Sequence, residues 1–154
     1  MVQFGASLKR TSMIKQILNP GNYPNSINFG LLLLRIMAGA FMLSHGMGKF
    51  AKLFSEEPIL FADPIGVGAT ASLVLVVFAE VFCSLFLILG FATKLASIPL
   101  IITMLVAAFI THADDGFGKQ ELPLLYTGIY LVFVIAGAGK FSVDHWLFKK
   151  LNHQ

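Results

Sequence analysis

Residues 68–90 read GATASLVLVVFAEVFCSLFLILG, and residues 27–44 read INFGLLLLRIMAGAFMLS. A helix rising 1.5 Å per residue needs about 20 apolar residues to cross a ~30 Å hydrocarbon core. These stretches meet that test, as do residues 95–112 and 121–138. The expected fold is therefore all-α: an integral membrane four-helix bundle over 27–138, with spans near 27–45, 68–90, 95–112 and 121–138. Pro99 and Pro123 are expected near helix starts, where proline is best tolerated.

Composition agrees. Of 154 residues, 56% are hydrophobic and only 12% charged, against about 25% charged in soluble domains. Mean hydropathy is +0.80. The 15 phenylalanines suit a surface that meets membrane lipid. One cysteine, Cys83, excludes an internal disulfide and a thiol pair. The net charge of +3 is not read as nucleic-acid binding, because excess Lys and Arg in a membrane protein mark its cytoplasmic side.

Residues 1–20 (MVQFGASLKRTSMIKQILNP) have no apolar core or cleavage site of a signal peptide. Phe4, Leu8, Ile14, Ile17 and Leu18 fall loosely on one helical face among Lys9, Arg10 and Lys15. The segment reads equally as a surface-lying helix or as a basic tail. Lys9, Arg10, Lys15, Lys94, Lys140, Lys149 and Lys150 share one side of the membrane with the single acid Asp144. The opposite side carries Lys49, Lys52 and Lys119 against six acids. The positive-inside rule then makes both termini cytoplasmic, as an even number of spans requires. The outer loop around 46–67 is long, and its Glu56-Glu57-Pro58 and Asp63-Pro64 pairs read as turns or short helix starts. The connection 91–94 (FATK) is tight and forces the second and third helices into an antiparallel hairpin.

Two ionisable residues interrupt the apolar runs: Arg35 in the first and Glu80 in the second. A charge facing lipid costs at least ~2.5–3.5 kcal/mol, so both are expected to face protein or water. Counted from the cytoplasmic ends, Arg35 lies ~12 Å deep and Glu80 ~15 Å, which predicts a shared layer. They then form either a closed ion pair or the floor of a polar pocket, with Glu80 as proton acceptor and Arg35 as its partner. Above them, His45 and Lys49 close the first helix one turn apart, and His112 closes the third. The histidines could relay protons, contact a head group or simply bond to loop carbonyls. No motif for haem, flavin or a metal is present, and the histidine spacing fits no zinc site. Tyr126 and Tyr130, one turn apart, either line the same pocket or pack. Gly39, Ala40 and Gly128 are expected at close helix contacts. In residues 139–154, Ser142 or Asp144 is expected to cap a short interfacial helix, with Trp146, Leu147 and Phe148 in the interface and Lys149 and Lys150 on lipid phosphates.

Taken together, LLLLRIMAGAFMLSHGMGKF, FAEVFCSLFLILGFATKLAS, Thr111-His112 and GAGKFSVDHWL resemble the DoxX family of small four-helix bacterial membrane proteins. The resemblance runs from about Gly30 to Trp146. It implies a location in the bacterial cytoplasmic membrane and association with quinone-linked redox enzymes. By position, it marks Arg35, His45, Lys49, Glu80, His112, Lys140 and Asp144. The functional expectation is a redox-associated subunit that takes a quinone, with membrane lipid and either a redox-enzyme subunit or a second copy as partners. The alternatives are a non-catalytic scaffold for another enzyme and, ranked below it, a small-solute transporter.

Overall fold

A computed structural model describes residues 13–152. The expectation for the N-terminal segment therefore falls largely outside the described residues, of which 13–17 are helical. Five further helices follow: α1 (Asn25–Leu53), α2 (Ala69–Leu89), α3 (Thr93–Thr111), α4 (Phe117–Ala136) and α5 (Val143–Asn152). The first three are long and apolar enough to cross a membrane. The 20-residue α4 matches them in length but opens on the polar Lys119, Gln120 and Glu121.

One core binds the four long helices. Leu31, Ala38 and Met42 of α1 meet Ala79, Cys83 and Leu87 of α2, Leu100 and Met104 of α3, and Tyr126, Tyr130 and Phe133 of α4. The outward faces are equally apolar: Phe29, Leu33, Phe41, Phe78, Ile102 and Phe109 are all exposed. Water would not tolerate so much exposed apolar surface, and a bilayer solvates it. The protein is an all-α membrane bundle.

Helices run beyond the apolar stretches, because polar residues at the interface continue a helix without cost. α1 extends through Lys49 and Lys52 to Leu53, and α4 begins at Phe117. Pro99 and Pro123 therefore lie inside their helices, not at the starts. The outer loop holds no helix at Glu56-Glu57-Pro58. Instead, the Asp63 carboxylate accepts the N–H groups of Val67 and Gly68 and the Ser72 hydroxyl at 2.7–2.9 Å, which pins the loop to the start of α2. Those bonds, the one from Ser72 above all, hold the Asp63 carboxyl below its ordinary range.

Two stretches depart from α geometry. Phe78–Cys83 in α2 and Ala107–Thr111 in α3 are π turns, in which the hydrogen bond spans five residues.

Candidate functional site

Glu80 lies within the π turn of α2 and is 2% exposed. Its partner is Lys49, whose Nζ donates to Oε1 at 2.5 Å. Gly46, one turn before Lys49, makes this reach possible. A Cβ there would come within 2.8 Å of Val81 and 2.9 Å of Glu80, so α1 crosses α2 at close quarters and Lys49 bends back over the crossing. The other carboxylate oxygen, Oε2, is buried and has no hydrogen-bond partner. Folded proteins leave few such atoms, and each costs ~1–3 kcal/mol or more when charged.

The pair borders a cavity of about 330 Å³ whose other walls include Met42, His45, His112, Lys119 and Tyr126. These residues come from the C-terminal half of α1, the C-terminal end of α3 and the N-terminal half of α4. His112 is held from behind: its Nδ1 lies 2.7 Å from Asp115 Oδ2, and Lys119 Nζ lies 3.3 Å from the same oxygen. An ionised carboxylate only accepts, so Nδ1 carries a proton, and in the neutral imidazole Nε2 is then the acceptor. The bond from His112, then that from Lys119, holds the Asp115 carboxyl below its usual range. The Gln120 amide donates to the His112 carbonyl at 2.9 Å and ties this corner together.

The expected meeting of Arg35 and Glu80 does not occur. Arg35 is fully buried, and its guanidinium donates to the carbonyls of Leu87 at 3.3 Å and Phe141 at 2.6 Å. The cause is a vertical offset between helices. Gly39 packs on Ser84 and Ile88, and Gly46 on Glu80 and Val81, so α1 residue n faces α2 residue near 126 − n. Arg35 thus faces the C-terminal end of α2, about eleven residues or roughly 16 Å along the helix from Glu80 at 1.5 Å per residue. Ile27 and Gly90, the zero points of the depth count, are far from level. The space below Gly90 is filled by the C-terminal segment.

That segment explains the remaining marked residues. The Asp144 carboxylate accepts the N–H groups of Ala92 and Thr93 at 2.7 and 2.9 Å, capping α3, while its own N–H donates to the Gly90 carbonyl. Burial pushes the Asp144 carboxyl up, against the opposing pull of those N–H groups and of Arg35. Ser142, not Asp144, caps α5, taking the His145 N–H at 3.1 Å. Lys140 contributes its backbone N–H to Asn28 Oδ1 at 2.8 Å, with its side chain exposed. Gly90 has φ +68°, and a Cβ on it would collide with Arg35 and Ser142. Arg35, Lys140, Ser142 and Asp144 therefore form an inner joint, remote from the cavity.

Of the tyrosines, Tyr126 borders the cavity, and Tyr130 stacks beneath it at 5.9 Å with its hydroxyl buried and unpartnered. Gly39 is a helix contact as expected, whereas Ala40 is exposed and nothing lies near Gly128. Sequence reasoning missed the Lys49–Glu80 pair, the contact at Gly46 and the His112–Asp115 dyad. The i, i+3 spacing of His112 and Asp115 was the available signal for the last. Among the described residues, no three His, Cys, Asp or Glu side chains gather as a metal would require.

Comparison with known families matches residues 30–113 to DoxX. An uncharacterized protein of Haemophilus influenzae is 34% identical over 128 residues, covering 78% of this chain and 92% of the relative. A Bacillus subtilis protein named "Putative oxidoreductase CatD" is 28% identical, covering 80% and 91%. The inner membrane protein YqjF of Escherichia coli is 27% identical, covering 79% and 94%. No solved structure matches the chain.

Proposed function

The chain belongs to the DoxX family, and from that premise we propose that it is an accessory subunit of a quinone- or quinol-linked redox system in the bacterial cytoplasmic membrane. The Lys49–Glu80 pair is the polar end of its ligand site. The observation that carries this reading is Glu80 Oε2: a buried carboxylate oxygen with no partner, beside a cavity of about 330 Å³. A purely structural pair would be expected to have both oxygens satisfied.

A bound quinol would supply the hydroxyl groups and the two-electron chemistry. This chain's residues supply position and proton transfer. Lys49 would donate to a ring oxygen, and Glu80 Oε2 would accept the two hydroxyl protons in turn, handing on the first before it takes the second. His112 Nε2, backed by Asp115, would accept each proton on its way to the outer face. The two electrons would have to go to a cofactor of the partner enzyme, since the single thiol, Cys83, is buried in the core. The positive-inside rule places both termini in the cytoplasm and this site in the outer half of the membrane. At the inner face, α5 lies in the interface, with Trp146 exposed and Lys150 5.5 Å above its ring.

The test is purification in mild detergent followed by quinone extraction and binding of an added decyl-benzoquinone. Wild type should retain quinone, and Glu80→Gln should lose at least about tenfold in affinity while staying folded. An empty site that takes up no quinone, with a second protein co-purifying at fixed stoichiometry, would refute the redox reading and favour a scaffold.

A further inference from the structure

A second cavity, of about 500 Å³, lies between α2 and α3 beneath the outer loop. Lys49, Glu80, Ala107 and His112 border both this cavity and the polar one, so the ion pair stands at their junction. We infer that this groove holds the hydrocarbon tail of a membrane amphiphile that enters sideways from the bilayer and rests its compact polar head on Lys49 and Glu80. The inference rests on the proposed reading of that pair as a head-group site, and it adds the ligand class and the route.

The walls support it. Leu75 and Val76 of α2 face Ile102, Thr103 and Val106 of α3 across the groove. Leu75 and Ile102 are 52% and 56% exposed, so the rim is part of the lipid-facing surface. Ala79, 1% exposed, also lines the groove, and its small side chain leaves room for a ligand chain. Phe61 and Ile65 roof the groove, and the Asp63 bonds to Val67, Gly68 and Ser72 fix that roof in place. The volume falls within the ~300–1,000 Å³ of small-molecule sites. An apolar trough that opens on lipid at one end and reaches a buried, half-satisfied carboxylate at the other fits a ligand with the same polarity gradient. Quinones with isoprenoid tails and fatty acids share that chemistry.

The full chain in nanodiscs is titrated by calorimetry with three probes: a decyl-substituted benzoquinone, the same ring without its chain, and decanoic acid. With partition into protein-free nanodiscs subtracted, so that the transfer from water into lipid cancels, the chain should tighten ring binding at least about tenfold through its packing in the groove. Val76→Trp, which fills the groove, should erase that gain and leave ring affinity within about twofold. Thr103→Trp on the opposite wall repeats the test should the first variant fold poorly. Ring binding with no chain effect, or a chain effect that survives both substitutions, overturns the groove and leaves the quinone reading standing. Decanoic acid binding with the same sensitivity to tryptophan, while the bare ring fails to bind, supports the groove and overturns the quinone reading. Binding of none of the probes overturns the inference.

Discussion

Replacing Asp144 by alanine separates the structural charges of this bundle, Arg35 and Asp144, from Glu80 at the cavity. The carboxylate accepts two backbone N–H groups at the start of α3 and lies within the field of Arg35. Hydrogen bonds to a charged acceptor contribute about 1.5–3 kcal/mol each, so the two together amount to roughly 3–6 kcal/mol. Removing one partner of a buried charge pair gives a similar ~3–5 kcal/mol. Burial opposes the gain, as the upward displacement of the Asp144 pKa records, so the lower end, about 3 kcal/mol, is expected. At about 2–4 °C per kcal/mol for a chain of this size, the melting temperature should fall by roughly 6–12 °C. Asp144→Asn keeps one acceptor oxygen and should lose about half as much. Helical ellipticity on heating in detergent measures both, and ligand affinity of the folded fraction should stay at the wild-type value. Because the folded pKa is raised, protonation favours the folded state. The carboxyl's own contribution therefore improves as pH falls from that raised value toward ~3.9, and the alanine variant lacks this trend. A melting temperature within 2 °C of wild type would refute the assignment of Asp144 as the clasp of the inner joint.

Three further outcomes bear on the outer site. A double-mutant cycle of Lys49→Met and Glu80→Gln should show a coupling of about 1–2 kcal/mol in stability, moderated by the partial exposure of Lys49; additive effects would mean that the pair does not form. Gly46→Ala places a Cβ against Val81 and Glu80 and should cost about 1–3 kcal/mol by overpacking, with quinone affinity falling as well; an unchanged melting temperature would show that α1 and α2 are farther apart. Asp63, its pKa held low, should latch the outer loop at every pH above the ordinary carboxylate range and release it as pH falls through its folded value. Proteolysis of residues 54–67 should therefore be flat from pH 8 to about 4 and rise below it, and in Asp63→Asn it should be fast throughout; slow cleavage of that variant at pH 7 would count against the latch.

Much of the architecture is legible in the sequence because hydrocarbon demands long apolar runs and tight turns join them. Arg35 and Glu80 also announce themselves, since a charge amid leucines needs a partner. What hydropathy does not encode is how far one helix slides along another. Apolar length locates α1 to within a turn or two, but its height against α2 depends on the contacts at Gly39 and Gly46, and a helix continues through Lys49 and Lys52 without marking where lipid ends. A slide of about nine residues gave both charges new partners. The Gly137–Asp144 segment reads as a helix cap and anchor, yet it folds back beneath α2 and α3. No local pattern shows that the Asp144 carboxylate caps a helix fifty residues earlier in the chain.

The π turns connect the backbone to the site. Each replaces regular four-residue bonding in a helix that crosses lipid, where an unsatisfied backbone group is costly. Neither contains proline or glycine to account for the irregularity. Yet one carries Ala79 and Glu80, and the other begins at Ala107 and delivers His112, whose N–H closes a five-residue bond to the Ala107 carbonyl at 3.0 Å. Three of the four residues that border both cavities, Glu80, Ala107 and His112, thus belong to or directly succeed a π turn. An extra residue in a turn rotates the remainder of the helix about its axis. In α2 and α3 this rotation brings a carboxylate and an imidazole to one junction from two different helices. Packing alone gives no reason for two such turns at the same depth, whereas a site that needs both groups on one wall does. The irregular backbone and the unpartnered Glu80 Oε2 are separate observations, and they point to the same few ångströms of the bundle.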